Sequence, residues 1–313
     1  MALPTSILVV GSVNMDLVVR TERMPEPGQT VLGGGFVTAP GGKGANQAVA
    51  VARQGGKCLF LGRVGDDAFG HTLAEGLKAE GVDCHGLLVT DEAPTGVAMI
   101  IVDAKGENSI VVASGANFRV TPDDIYHNEQ LFQQAAVVVL QLELPLPTVV
   151  AARVLAAKHK CKVVLDPAPA IRTLPPELCD VDVLTPNASE AQTITGQPIV
   201  PQQEERGDKL VAAELVRRGA KAAVLKLGGR GCLLMTAEGE INRHGPYKVD
   251  IVDTTAAGDA FTASLAVGIA RGLPLAEAAH FANAAGALAC TRLGAQSSMP
   301  TRQEILNLMA KQR

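Results

Sequence analysis

Six short apolar runs, separated by amphipathic stretches, constrain this chain more than any other feature. "SILVV" (6–10), "CLFLG" (58–62), "AVVVL" (136–140), "KVVLD" (162–166), "VDVLTP" (181–186) and "AAVLKL" (222–227) are nearly continuous in hydrophobicity rather than alternating. That is the pattern of strands covered on both faces. Among them lie "GANQAVAVARQG" (44–55), "DAFGHTLAEGLKAEG" (67–81), "PLPTVVAARVLAAKHK" (145–160) and "GDKLVAAELVRRG" (207–219), which read as amphipathic helices. Strands alternating with helices require βαβ crossovers. The expected class is therefore α/β, a three-layer sandwich with a mostly parallel central sheet and helices on both faces. At 313 residues and 47% hydrophobic content the chain can bury a core of that size.

Two regions break the rhythm. Residues 17–39 are rich in Gly and Pro with short extended pieces, and residues 95–113 read as two strands around a "DAKGEN" turn. We expect these pieces to form a small β-sheet lid over the carboxyl edge of the main sheet. The last third reads as helices at 258–271, 274–292 and 301–312. With no repeat and no obvious linker, residues 1–313 are expected to form one domain, with lid strands inserted at about 17–39 and 95–113. Open parallel sheets collect ligands at the carboxyl ends of their strands. The residues to inspect are therefore Asn14, Asp16, Glu143, Asp166, Asn187, Glu190 and Gly228.

Composition excludes some classes. Net charge is −4 and no Lys/Arg stripe is visible, which argues against a dedicated nucleic-acid binder. The six cysteines are scattered without a CxxC pair, which suits reduced thiols. "MALPTSILVVG" lacks a positive n-region, and no apolar run reaches the length of a membrane span. A cytoplasmic protein without membrane partners is expected.

Several stretches carry chemistry. "PGGKGANQA" (40–48) puts Gly41, Gly42, Lys43, Gly44 and Asn46 at a helix start, where backbone amides are free. It is not a Walker A loop, and "GSVNMD" (11–16) lacks the G-x-G-x-x-G of a dinucleotide site, which disfavours a dehydrogenase. Asn14 and Asp16 suit hydroxyl groups better than pyrophosphate. "TPNASEAQ" (185–192) spaces Asn187 and Glu190 as a capping box, or as contacts to phosphates and metal-bound water. "KLGGRG" (226–231) reads as a glycine turn between strands, or as backbone over which a nucleotide lies. In "DTTAAGDAF" (253–261), Asp259 falls in the first turn of a helix behind three very small residues. Amides at 256–258 could hold developing phosphoryl charge while Asp259 takes a proton from the attacking hydroxyl.

Together, "GSVNMD", "PGGKGANQAVAVARQG", "VGDDAFG", "TGVAMIIVDAKGEN", "QLELP", "DPAPA", "TPNASEA", "LGGRG", "VDTTAAGDAF" and "TRLGAQSSMP" resemble, in order, the ribokinase-like (PfkB) sugar kinases. The resemblance spans nearly the whole chain. It implies transfer of the ATP γ-phosphate to the 5-hydroxyl of D-ribose, with Asp259 as general base and Ala256, Ala257 and Gly258 as an anion hole. It places Asn14, Asp16, Gly42, Lys43, Asn46 and Glu143 on the sugar, with Asn187 and Glu190 serving the phosphates and Mg²⁺. Lys226, Gly228, Gly231 and Asn283 fall near the nucleotide. Lys226 stands where Thr is common, so it would either touch a nucleotide phosphate or pair with an acid outside the site. A K⁺ activator is implied beside Asp253, Thr255, Ala289, Arg292, Gly294 and Ser298, several acting through carbonyls. A homodimer through the lid strands is expected. Rival readings are a same-family kinase for deoxyribose, fructose or a nucleoside, and a non-catalytic sugar sensor. An aromatic content of 3% disfavours a nucleoside, and the intact Asp259 disfavours a sensor.

Overall fold

The computed structural model describes residues 6–197 and 204–312. Residues 1–5, on which the reading of the N-terminus partly rests, lie outside the described residues.

Among the described residues thirteen strands, numbered along the chain, form two sheets. The large one contains β1 (Ser6–Val10), β4 (Cys58–Gly65), β5 (Asp83–Thr90), β8 (Ala135–Leu140), β9 (Lys162–Leu165), β10 (Val183–Leu184), β11 (Ala222–Lys226), β12 (Cys232–Thr236) and β13 (Ile241–His244). Its order is β13-β12-β11-β10-β9-β8-β1-β4-β5. All neighbours from β11 to β5 run parallel, and β12 and β13 add antiparallel strands at one end. The small sheet contains β2 (Asn14–Arg20), β3 (Phe36–Gly41), β6 (Gly96–Val102) and β7 (Asn108–Ala113), in the order β3-β2-β6-β7.

The helices are α1 (Lys43–Arg53), α2 (Ala68–Ala79), α3 (Pro122–His127), α4 (Glu129–Gln134), α5 (Leu146–Lys158), α6 (Pro176–Cys179), α7 (Ala188–Thr195), α8 (Glu204–Arg217), α9 (Ala257–Ala270), α10 (Leu275–Ala289) and α11 (Arg302–Lys311). They divide between the two faces, and β1 shows why its run is apolar from Ile7 to Val10. Leu8 and Val10 point into one core with Val149 and Leu155 of α5 and Leu215 of α8. Ile7 and Val9 point into the other with Val49 of α1, Leu73 of α2, Leu265 of α9 and Ala278 of α10. Alternate side chains leave opposite faces of a strand, so a doubly covered strand needs an apolar residue at every position.

The six expected central strands and the antiparallel hairpin at 95–113 are all present. Val102 and Asn108 close the hairpin register. The piece in residues 17–39 begins earlier, at Asn14, and β2 pairs in parallel with β6. Two strands carry no clear apolar signal, β5 ("DCHGLLVT") and β13 ("INRH"). Both lie at the edges of the large sheet, where a strand is only partly covered. The small sheet keeps large apolar side chains in the open, with Met99 59% and Val111 68% exposed. Among the described residues no helix is long and apolar enough to cross a membrane.

Candidate active site

The turn after β1 and the start of α1 are in direct contact, which sets one wall of the site. Gly42 has φ +87°, and a Cβ there would lie 2.7 Å from the Asn14 amide nitrogen. A Cβ on Gly44 would lie 2.6 Å from the Gly11 carbonyl carbon. These glycines are thus required by backbone packed on backbone before any ligand is considered. The contact brings Asn14, Asp16, Lys43, Asn46 and Glu143 into one neighbourhood. Glu143 accepts hydrogen bonds from Ser12 Oγ and, at 3.1 Å, from the Lys43 amide. Asn14 is buried, and its Oδ1 accepts from Asn117 Nδ2 at 2.7 Å. Asn117 also clamps both backbone groups of Val13. Asp16 is pressed against the end of β3, and burial raises its pKa from 3.8 to about 7, with Glu143 and Asp259 adding repulsion.

Asp259, in the first turn of α9, is 4% exposed. Its Oδ2 accepts from Asn46 Nδ2 at 2.9 Å and its Oδ1 from Gln47 Nε2 at 3.0 Å. Burial pushes its pKa up. The Lys43 ammonium and the two amides oppose that push, and Asp166 adds to it. Lys43 in turn is held firmly charged, chiefly by Asp259. Asn46 has committed its amide nitrogen to Asp259, while its Oδ1 is buried without a partner. An acceptor in that state suits a ligand hydroxyl.

Gln47 continues the network inward. Its Nε2 also reaches Asp166 Oδ2 at 3.2 Å, and its Oε1 accepts from Gln141 Nε2 at 2.6 Å. Asp166 Oδ1 accepts from Lys226 Nζ at 2.8 Å. Lys226 therefore pairs with an acid, and that acid lies inside the site. Gln47 and Gln141 give no signal in a single sequence, because a buried glutamine in an alanine-rich helix or after a strand looks unremarkable. Asp166 was legible only as a strand-end carboxylate.

The start of α9 is strained and uncapped. Ala256 adopts the left-handed conformation at φ 58°, and no side chain caps the helix. The Ala257 amide donates to Thr254 O at 3.3 Å, so the first-turn amides beyond it, Gly258 and Asp259, offer the better-placed donors. The Gly258 position faces Lys226, whose Nζ would lie 3.4 Å from a Cβ there.

A cavity of about 430 Å³ runs from Lys43, Asp166 and Asp259 past Lys226 to Tyr247 and Ile251. Asn187 and Glu190 line it while forming a reciprocal capping box at the start of α7. Burial pushes the Glu190 carboxyl up. Gly228, at φ +56°, has open space where a Cβ would be, as a backbone beneath a ligand should. Gly231 differs: its Cβ would meet His244 O at 2.0 Å, so the β12–β13 hairpin itself demands glycine there. Asn283 Nδ2 donates to Gly245 O at 2.7 Å, bracing the cavity wall that carries Tyr247. Tyr247, Ile251 and Phe261 supply an apolar lining that the sequence reading did not single out.

Of the residues grouped around Asp253, Thr255 and Gly294 meet it directly. Asp253 Oδ2 accepts from the Gly294 amide at 2.9 Å, and Oδ1 accepts from the Thr255 amide and hydroxyl at 2.9 and 2.6 Å. Burial opposes ionisation of Asp253, but these bonds outweigh it and hold the carboxyl low. Arg292 turns its side chain to Glu304, and Ser298 Oγ donates to Ala295 O at 2.8 Å. Just after Ala289, at the end of α10, the Cys290 carbonyl accepts from the Val252 and Asp253 amides at 2.8 and 3.2 Å. Backbone carbonyls, rather than the Arg292 side chain, are what this loop cluster can offer a cation. Among the described residues no group of three His, Cys, Asp or Glu side chains is placed to hold a metal ion.

A doubly covered parallel sheet with a buried acid at a glycine-alanine helix start, opening on a long polar-to-apolar cavity, defines a phosphoryl-transfer enzyme of the carbohydrate kinase type. The model of the pfkB family carbohydrate kinases matches residues 4–302, and the chain belongs to that family. It is 40% identical over 306 residues to a ribokinase of Schizosaccharomyces pombe, covering 96% of each chain. It is 36% identical over 300 residues to a deoxyribokinase of Salmonella typhi, covering 95% of this chain and 96% of the relative. The structure of Arabidopsis thaliana ribokinase complexed with ribose and ATP superposes with a TM-score of 0.87 at 33% identity, over 98% of this chain and 99% of that one.

Proposed function

We propose that the chain transfers the γ-phosphoryl group of ATP to the 5-hydroxyl of D-ribose, giving ribose 5-phosphate and ADP. The observation that carries this reading is the position of Asp259. It is buried and held by Asn46 and Gln47, and it lies where the hydroxyl-binding residues meet the first-turn amides of α9. The sugar lies against Asn14, Asp16, Gly42, Lys43, Asn46 and Glu143, and the unpartnered Asn46 Oδ1 accepts one of its hydroxyls. Asp259 removes the proton of the attacking hydroxyl, and its raised pKa makes it a better match to that task than an exposed carboxylate. The amides of Gly258 and Asp259 then meet the transferring phosphoryl oxygens, with Ala256 and Ala257 shaping the turn. The phosphates and adenosine of ATP occupy the cavity past Asn187, Glu190 and Gly228 toward Tyr247, Ile251 and Asn283. The backbone at Gly231 shapes that end.

Asn187 and Glu190 suit Mg²⁺ through its water shell, because a nearby cation relieves the burial of Glu190. Bound there, the ion supplies charge neutralisation of the phosphates. K⁺ suits the cluster of Asp253, Thr255, Ala289, Arg292, Gly294 and Ser298, a set of carbonyls around one ionised carboxylate. The exposed apolar face of the small sheet, with Met99 and Val111, supports a homodimer through the lid strands. One domain with an inserted lid and a cytoplasmic location complete the reading, the latter in keeping with six free cysteines.

The likeness to a deoxyribokinase keeps deoxyribose as the second reading. An ADP-release assay across ribose, deoxyribose, fructose and adenosine, each with and without K⁺ in Tris buffer, tests both. Ribose is expected to give the highest kcat/KM, rising with K⁺. A preference for another acceptor refutes the substrate assignment, and a flat response to K⁺ refutes the cation site.

A further inference from the structure

The interior network joins the two ends of the site, and its chemistry goes beyond holding the base. Gln47 can give its two amide protons to Asp259 and Asp166 because Gln141 occupies its oxygen, so the amide cannot turn over without facing its own carbonyl to two carboxylates. Asp166 is 1% exposed, and the cation that touches it is the Lys226 ammonium. The same ammonium stands 3.4 Å from where a Gly258 Cβ would be, above the turn that meets phosphate. Lys226 thus touches Asp166, feels the Glu190 carboxylate that lines the same cavity, and is within reach of the phosphate that arrives with the nucleotide.

We propose that Asp166 and Gln47 are positioning residues that make the basicity of Asp259 depend on nucleotide: incoming phosphate draws Lys226 off Asp166, and the uncompensated Asp166 charge then acts on Asp259. The inference rests on Asp259 being the base. The charged groups facing Asp259 are Lys43 from α1, Asp166 after β9 and Asp16 from β2, with Glu143 acting on Asp16 and Lys43. Of these, the structure gives Asp166 alone a partner in the nucleotide cavity that can leave. Before nucleotide binds, the Lys226–Asp166 pair keeps the local charge low, so Asp259 is the weaker base. After it binds, Asp259 holds a proton more strongly just as a hydroxyl must lose one. No atom is gained or lost in this step, only the partner of the ammonium changes. A side chain that changes partner with occupancy is a two-state element of the kind coupling requires.

The test is the acid limb of kcat against pH at saturating ATP and sugar. Two charges bridged through one amide nitrogen in a protein interior interact by roughly one to two pKa units. Asp166→Asn should therefore move the limb about one unit to lower pH and lower the plateau. Lys226→Met should leave that limb in place, since the lysine is already off Asp166 in the ternary complex, while raising the KM for ATP by about tenfold. In the nucleotide-free protein, Lys226→Met should move the acid limb of sugar binding, followed by calorimetry, to higher pH. A limb that stays fixed in Asp166→Asn overturns the coupling, as does an unchanged binding profile in Lys226→Met if Asp166→Asn does not fold. Asp259→Asn separates the two claims: if it retains activity, the base assignment fails, whereas if it is inactive and the limbs do not move, the coupling alone fails.

Discussion

Replacing Asp16 with Asn should make the sugar-free protein more stable at alkaline pH while weakening sugar binding. The carboxylate is pushed from 3.8 to about 7 by burial, then by Glu143 and Asp259. A raised carboxyl pKa means that the folded state holds the proton more tightly than the unfolded one. Folding stability therefore falls as pH climbs from the unfolded value toward 7, and the loss is complete above it. The full shift corresponds to about 4 kcal/mol. Asp16 is only partly buried, so solvent and neighbouring titrations reduce the expected effect to roughly 2–4 kcal/mol. Asn fits the same space, which matters because the Asp16 oxygens would lie 2.3 Å from a Cβ on Gly41. Urea unfolding of both proteins at pH 4.5 and pH 8.5, without sugar, measures the difference. The gap should be small, about 1 kcal/mol or less, near pH 4.5 and widen in favour of Asp16→Asn at pH 8.5, with the KM for ribose raised in parallel. Equal stability at both pH values would refute a buried, repelled carboxylate, and an unchanged KM would refute its role as a hydroxyl acceptor.

Asp259→Asn should lower kcat by about 10²–10⁴-fold while sugar binding stays measurable by calorimetry, and near-normal kcat would remove Asp259 from the base role. Val111→Asp, on the exposed face of the small sheet, should shift a homodimer to monomer in light scattering. An unchanged mass would refute a homodimer through this face.

The order of layers was legible from the runs themselves. "ILVV" (7–10) and "AAVL" (222–225) are apolar at every position because both faces of those strands are covered, and that requirement is local enough to read in one dimension. The edge strands β5 and β13 escaped because a half-covered strand needs no such run. The same boundary divides the site. Asp16, Glu143 and Asp259 announce themselves by residue type, by strand-end or helix-start position and by small neighbours. Their partners do not: Gln47 meets Asp259 across 212 positions, Gln141 meets Gln47 across 94, and Lys226 meets Asp166 across 60. Nothing local distinguishes a glutamine that bridges two carboxylates from one that faces solvent. Gly42 and Gly231 show the converse. Sequence marks them as special, but only the packing shows that the Asn14 amide and the His244 carbonyl, rather than a ligand alone, exclude a side chain there. Sequence by itself therefore determined the sheet, its covering helices and the acids at its carboxyl edge, because these follow from periodicity and from short-range chemistry. Which amide holds which carboxylate, where Lys226 parks its charge and how Asp259 is buried were decided only by tertiary structure, because each depends on residues that are distant along the chain and adjacent only once the sheet has formed.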